Sequence, residues 1–169
     1  MSKTIIITGA AKGIGRAIAK DFAYSGYNVC VNYNTSEKEA KELCDELAKA
    51  GCSVIIYKAD ITKRDEVDKM VDYVIGTFGN IDVLVNNAGI SEYKLFVDIS
   101  QQELERMLNV NILGTFNMTQ SVLKKSMLPR KDGTIINISS IWGMVGASLE
   151  VAYSTSKAAI IGMSKALAK

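Results

Sequence analysis

The sequence predicts an α/β fold with a doubly wound parallel sheet. Short apolar, β-branched runs alternate with segments of helical periodicity along the whole chain, and a glycine-rich turn directly follows the first apolar run. Strands that alternate with helices form parallel sheets, because each crossover helix returns the chain to the same edge of the sheet. No repeat, low-complexity stretch or linker divides the 169 residues, so we expect one domain spanning 1–169.

The apolar runs predict five strands, at residues 3–8, 28–32, 53–57, 81–86 and 133–138. Two capping boxes should each begin a helix, Ser36 with Glu39 and Ser100 with Glu103. Glycines should end the first three helices, at Gly26, Gly51 and Gly79. The fourth helix extends towards Met127 with a bend expected near Gly114, and the last begins near Val151.

The composition excludes several classes of function. A net charge of +2 favours neither nucleic acid nor a membrane surface as a partner, and no apolar run approaches the roughly 20 residues that span a bilayer. The chain has no histidine, which excludes a Ser–His–Asp triad and most zinc enzymes. Cys30, Cys44 and Cys52 lack metal-ligand spacing, so no metal site is expected. Buried free thiols and no visible signal peptide indicate a cytoplasmic protein.

The glycine-rich turn predicts a phosphate-binding site. Thr8-Gly9-x-x-x-Gly13-x-Gly15 lies between a strand and a helical pattern that begins at Ile14. Glycines there let the backbone approach a pyrophosphate, and the helix N-terminus offers free N–H groups. An ordinary turn is the alternative, but the strand before and the helix after favour a nucleotide.

Polar residues also follow two later strands, where ligands bind in doubly wound folds. Asn86-Asn87-Ala88-Gly89 follows the fourth strand and Ser139-Ser140 the fifth. Ser140 could bond a substrate carbonyl or simply cap the strand end. Asn111 lies within a helical pattern, where solvent exposure and burial are both open.

Tyr153 and Lys157 are the clearest catalytic candidates. Four residues apart, they share one face of the last helix. An ammonium beside a phenol favours the phenolate, so such a pair can exchange protons with a substrate oxygen. Taken alone, the pattern also fits a surface lysine beside a half-buried tyrosine.

The end of the second strand indicates which nucleotide the site prefers. An acid about 20 residues past the glycines usually holds the ribose of NAD, whereas Tyr33 and its neighbours supply none before Glu37. Lys12 lies within the glycine turn. These two observations favour the 2′-phosphate of NADPH, with a solvated turn lysine as the alternative.

Together these motifs resemble the short-chain dehydrogenase/reductase family, and most closely its bacterial 3-oxoacyl-(acyl-carrier-protein) reductases. Residues 12–19, 83–90 and 135–140 carry the closer likeness. Residues 141–148 are less typical and resemble a branch thought to reduce a ketone carried by modified elongation factor P. The implied fold is Rossmann-like with strand order 3-2-1-4-5, and the family's sixth and seventh strands are expected to be absent from this chain.

The resemblance implies roles for individual residues. Tyr153 is the general acid, Lys157 favours ionisation of the phenol and bonds the nicotinamide ribose, Ser140 orients the carbonyl, and Asn111 holds a water that resupplies protons. The residues implied to bind NADP(H) are Gly9, Lys12, Gly13, Ile14, Gly15, Tyr33, Asp60, Ile61, Asn87, Ala88, Gly89, Tyr153 and Lys157.

The implied function is NADPH-dependent reduction of a 3-oxoacyl thioester on acyl-carrier protein, in a homo-oligomer that is a tetramer in the family. The alternatives are another small ketone substrate, or a catalytically weak fragment that keeps only nucleotide binding. The family's substrate lid is expected to be missing, so we expect weak activity and an unguarded edge at residues 134–138.

Overall fold

The computed structural model describes residues 2–169, which form a five-stranded parallel sheet with helices on both faces. The strands are β1 (Thr4–Ile7), β2 (Asn28–Tyr33), β3 (Val54–Lys58), β4 (Val83–Asn86) and β5 (Thr134–Asn137). Their order across the sheet is β3-β2-β1-β4-β5. The predicted fold class and strand order are therefore confirmed, and each strand end lies within two residues of the predicted one.

Helices and helical turns connect the strands. They are α1 (Gly13–Tyr24), α2 (Glu37–Lys49), α3 (Arg64–Phe78), α4 (Gln101–Leu108), α5 (Gly114–Val122), α6 (Leu128–Arg130), α7 (Trp142–Val145) and α8 (Val151–Leu167), with a 3-10 turn at Phe96–Asp98. Two π-helical turns, Asn109–Leu113 and Leu123–Met127, join α4, α5 and α6 into one long helical segment.

The three central strands, β1, β2 and β4, are buried on both faces of the sheet because most of their side chains are apolar. Along β1, Ile5 and Ile7 face a core built with α1 and α2, whereas Ile6 faces a second core built with α3 and α5. All three isoleucines have no exposed side-chain area. Consecutive side chains of a strand point to opposite faces, so a continuous apolar run predicts this two-sided burial.

Of the two predicted capping boxes, the structure forms one. Ser100 accepts a hydrogen bond from the Glu103 N–H, and the Glu103 carboxylate accepts one from the Ser100 N–H. At the start of α2, Ser36 makes no capping hydrogen bond, so the predicted box there is wrong. The Glu39 carboxylate pairs with Lys12 at 2.8 Å instead, because a charged partner stabilises it more than a neutral N–H would.

A bend was predicted near Gly114. The structure shows a change from α-helical to π-helical hydrogen bonding in the turn directly before that glycine. The π-helical turn Asn109–Leu113 inserts one extra residue and rotates the Asn111 side chain into the interior. A Cβ at Gly114 would lie 2.5 Å from the Ile61 side chain, so the glycine also permits close packing there.

The three cysteines are free thiols. Cys30 is fully buried, and its burial raises the pKa of that thiol to about 12. Cys44 and Cys52 are half-buried, so the predicted burial is wrong for these two. Within residues 2–169 no helix is long and apolar enough to cross a membrane, and the same residues contain no cluster of three or more potential metal ligands.

Candidate active site

A cleft of about 1020 Å³ opens at the carboxyl ends of the strands. The glycine turn after β1, the ends of β2, β3 and β4, and one side of α4 form its walls. Nine of the predicted cofactor-binding residues line it: Gly9, Lys12, Gly13, Ile14, Tyr33, Asp60, Asn87, Ala88 and Gly89. The sequence motifs therefore converge on one site at the edge of the sheet.

The glycine turn forms a cradle that larger residues would fill. Gly9 and Gly13 adopt left-handed φ values of 62° and 55°, which side chains rarely tolerate. Space around the Cβ position of Gly13 is open, whereas a Cβ at Gly15 would lie 2.5 Å from Asn87 Nδ2. The N-terminus of α1 thus opens onto the cleft, where its unpaired N–H groups suit a phosphate.

Hydrogen bonds hold the glycine turn against the turn after β4. Asn87 Nδ2 donates to the carbonyl oxygens of Thr8, at 2.9 Å, and Gly9, at 3.2 Å. Thr8 Oγ1 accepts from the backbone N–H groups of Asn87 and Ala88, both at 3.0 Å. On the other side, buried Asn32 accepts from the Gly9 N–H at 3.3 Å. Asn87 therefore shapes the cleft, with help from Thr8 and Asn32.

The ends of β2 and β3 contribute Tyr33 and Asp60. The Asp60 carboxylate accepts hydrogen bonds from the N–H and hydroxyl of Thr62, which fixes its loop at the cleft wall. The Ile61 side chain packs into the core against α3 and α5 rather than lining the cleft. Ile61 lies in the turn after β3, three residues beyond the end of the strand.

Tyr153 and Lys157 lie one turn apart on α8, with Lys157 Nζ 5.7 Å from the centre of the Tyr153 ring. Lys157 as a residue is 5% exposed, and its ammonium donates to the carbonyl oxygen of Ile138 at 2.8 Å. Burial lowers the pKa of Lys157 below its ordinary value, because the charged form loses hydration. The geometry thus places a desolvated cation beside a half-buried phenol.

Asn111 is buried beside this pair, which resolves the open question of its exposure. Its Oδ1 accepts from the Ile90 N–H at 2.8 Å, and its Nδ2 donates to the Ile90 carbonyl at 2.9 Å. Nδ2 also donates to Ser156 Oγ at 2.9 Å, and that hydroxyl donates to the Tyr153 carbonyl at 2.7 Å. Ser156, which the sequence analysis did not single out, therefore links Asn111 to α8.

Gly89 brings the catalytic candidates to the wall of the cleft. A Cβ on this glycine would lie 3.2 Å from Asn111 Oδ1 and 3.6 Å from Lys157 Nζ. The cleft and the pair on α8 are therefore parts of one site.

The two serines after β5 have different roles. Ser139 Oγ donates to the Lys157 carbonyl at 2.9 Å, so it fastens the strand end to α8. Ser140 Oγ accepts the Trp142 N–H at 3.2 Å, which leaves its own proton free to donate elsewhere. The capping alternative and the carbonyl-binding role of Ser140 are thus compatible.

Gly143 lets α7 pack directly on the backbone of α8. A Cβ there would lie 2.7 Å from the Lys157 carbonyl carbon and 2.9 Å from the Ala158 nitrogen. Both are backbone atoms that cannot rotate away. No periodicity or motif in the sequence indicates this contact, which positions the segment between Ser140 and Tyr153.

We expect Gly143→Ala to lower the free energy of unfolding by about 1–3 kcal/mol, because the methyl group forces α7 away from α8. Gly162→Ala is the matched control on α8, where open space surrounds the Cβ position. It should be neutral or stabilise by up to about 1 kcal/mol through helix propensity. Urea denaturation measures both, and equal stability of the two variants would contradict this packing.

The buried ammonium of Lys157 should also affect stability as a function of pH. Because its pKa is lower in the folded chain, the unfolded chain binds more protons between the folded pKa and the ordinary value of 10.5. The free energy of unfolding that Lys157 contributes should therefore rise with pH through that interval. Thermal denaturation from about pH 7 to about pH 10 should show the Tm of the parent increasing relative to Lys157→Met. A constant or falling difference would show that the ammonium is not desolvated.

Comparisons with known proteins show which family this chain is similar to. A family model described as short chain dehydrogenase matches residues 3–169. The 3-oxoacyl-(acyl-carrier-protein) reductases FabG of Staphylococcus epidermidis and Staphylococcus aureus are 40% and 39% identical over all 169 residues. The corresponding reductase of Synechocystis is 38% identical over 99% of the chain.

The chain spans about two thirds of these relatives, with 69% of the Staphylococcus epidermidis protein and 68% of the other two covered. Among solved structures, the crystal structure of a variant of actinorhodin polyketide ketoreductase with NADPH matches with a TM-score of 0.95 and 33% identity. That match covers 98% of this chain and 64% of the ketoreductase chain.

Proposed function

Since the chain belongs to the short chain dehydrogenase family, we propose that it reduces a ketone with NADPH, and that its substrate is a 3-oxoacyl thioester carried by acyl-carrier protein. One observation carries the proposal: Gly89 of the cleft wall lies against both Asn111 and Lys157. A nucleotide held in the cleft would therefore end beside the tyrosine–lysine pair. The likeness to reductases of acyl-carrier-protein substrates favours the thioester.

The nicotinamide of NADP(H), when bound, supplies a hydride to the carbonyl carbon. Tyr153 is the group that gives a proton to the carbonyl oxygen. The Lys157 ammonium, desolvated and close to the ring, stabilises the phenolate that remains. Ser140 orients the substrate because its hydroxyl donates a hydrogen bond to the same oxygen.

Asn111 and Lys157 resupply the proton in this mechanism. Asn111 is fixed by Ile90 and Ser156, so its Oδ1 stays beside the ammonium across Gly89. An amide oxygen has two lone pairs, and the Ile90 N–H occupies one of them. The other can hold a water, which passes a proton from solvent to Lys157 when Lys157 returns one to the Tyr153 phenolate.

Apolar surface near the site suits an acyl chain. Tyr93, Phe96, Met144 and Val145 are all exposed, on segments that flank the start of α8. These segments are tied together where the Lys94 N–H donates to the Leu149 carbonyl at 2.8 Å. Met144 and Val145 belong to residues 141–148, the segment that resembles the branch acting on modified elongation factor P. A ketone carried on that protein is therefore the second candidate substrate.

We expect NADPH to be preferred over NADH, because the end of β2 offers no acid and Lys12 lines the cleft. Lys12→Ala should weaken NADPH binding roughly tenfold and NADH binding little, since only NADPH has a 2′-phosphate to lose a charged contact. NADPH and NADH oxidation with acetoacetyl thioesters measures both points. Equal specificity constants for the two cofactors in the parent protein would refute the preference.

We propose a cytoplasmic homo-oligomer. Apolar area is exposed at Leu113 just before α5, at Phe116 on α5 and at Leu167 on α8, and a small apolar cavity of about 210 Å³ lies between the two helices. Exposed apolar surface of this kind on neighbouring helices is typical of subunit interfaces.

A further inference from the structure

An ion pair lies beside the part of the cleft formed by the end of β2. Lys12 Nζ lies 2.8 Å from Glu39 Oε1, with the two side chains 61% and 36% exposed. Lys12 lines the cleft, whereas Glu39 lies behind it in the first turn of α2. The cation that would meet the 2′-phosphate is therefore already paired with an acid of the chain itself.

The fold holds Glu39 in this place through its backbone. Arg16 on α1 donates from Nη1 to the Glu39 carbonyl oxygen at 3.2 Å. Its other nitrogen, Nη2, pairs with Glu46 at 3.0 Å, two turns further along the same face of α2. The first turn of α2 is thus fixed against α1, and the Glu39 carboxylate stays within reach of Lys12.

The carboxylate is charged near neutral pH. The hydrogen bond from Lys12 lowers the pKa of Glu39 below its ordinary value. A phosphate that approaches Lys12 must therefore share the ammonium with Glu39 or displace it, and it meets a like charge close by. NADH, with a hydroxyl in place of the phosphate, meets neither cost.

We propose that Glu39 sets how strongly the site prefers NADPH, by competing with the 2′-phosphate for Lys12. The inference rests on the proposed function, because it assumes that the cleft binds a nicotinamide dinucleotide. Glu39 is a specificity-determining residue that acts through Lys12 and contacts no reacting atom. In this arrangement the preference for NADPH is weaker than Lys12 alone would give.

Glu39→Gln tests the proposal, with Glu37→Gln as the matched control. Glu37 is in the same helical turn but pairs with Lys41, which unlike Lys12 does not line the cleft. The binding of NADPH and NADH is measured by calorimetry. Glu39→Gln should bind NADPH about three to ten times more tightly than the parent protein does. NADH affinity of that variant, and both affinities of Glu37→Gln, should stay within about twofold of the parent.

The Lys12→Met background separates competition from simple repulsion. In that background, Glu39→Gln should increase NADPH affinity by less than half as much as it does in the parent, because no Lys12 ammonium is released from the ion pair. A full gain in that background, an equal gain for NADH, or no gain in a folded Glu39→Gln protein would each overturn the proposal. These outcomes all require a parent that binds NADPH, whereas a parent that binds neither nucleotide overturns the proposed function as well.

Discussion

Tyr153→Phe is expected to lower the turnover of ketone reduction by about 10²–10⁴-fold, the usual contribution of a general acid. The variant loses the phenol O–H that protonates the substrate oxygen in the proposed mechanism, whereas the Ser140 hydroxyl only orients that oxygen. Its ring still supports the cation 5.7 Å away, so the local packing should persist. NADPH affinity should stay within about twofold, because the adenosine half binds at the glycine turn.

Steady-state kinetics and direct NADPH binding measure the two effects separately. Tyr24→Phe is a suitable control, since it removes an exposed phenol at the end of α1. That control should match the parent in both measurements. If Tyr153→Phe keeps most of the turnover, the proton comes from another group and the mechanism must be reassigned.

Gly15→Ala should have the second largest effect, on both cofactor binding and stability. The added Cβ would lie 2.5 Å from Asn87 Nδ2 and 2.8 Å from the Gly9 carbonyl oxygen. Overpacking of this kind costs about 1–3 kcal/mol, and the shift moves the turn that should hold the pyrophosphate. We expect NADPH affinity to fall at least about tenfold, equivalent to about 1.4 kcal/mol.

Gly76→Ala is the control for this variant, because the Cβ position on α3 is open. It should leave NADPH affinity unchanged and stabilise the helix by up to about 1 kcal/mol. Calorimetric binding and thermal denaturation of the two variants give a direct comparison. Unchanged NADPH affinity in Gly15→Ala would show that the glycine turn does not form the nucleotide site.

The sequence was sufficient for the fold because its local signals agree with one another. Continuous apolar strands, glycine stops and the capping box at Ser100 all indicate the same alternation of strands and helices, and the structure confirms it. Membership in the short chain dehydrogenase family confirms the predicted oxidoreductase class. The bend was expected near Gly114 and Asn111 within a regular helical pattern, whereas the structure has a π-helical turn at Asn109–Leu113 that periodicity cannot reveal.

The remaining differences arise from contacts between distant segments. Ser36 and Glu39 have the spacing of a capping box, but Lys12 on another element competes for the acid. Asn32, Ser156 and Gly143 shape the site through partners 14 to 45 positions away. Such residues resemble ordinary core or turn positions until the partner is known, so spacing alone could not identify them.

The most direct test of the proposed function follows the hydride itself. The protein is incubated with an acetoacetyl thioester and NADPH deuterated at the transferable position of the nicotinamide, and the product is analysed by mass spectrometry. We expect a 3-hydroxybutyryl thioester with one deuterium on the former carbonyl carbon, formed far more slowly by Tyr153→Phe. Deuterium that stays in the nicotinamide, while the protein binds NADPH and the ketone is recovered unchanged, would contradict the proposed reduction.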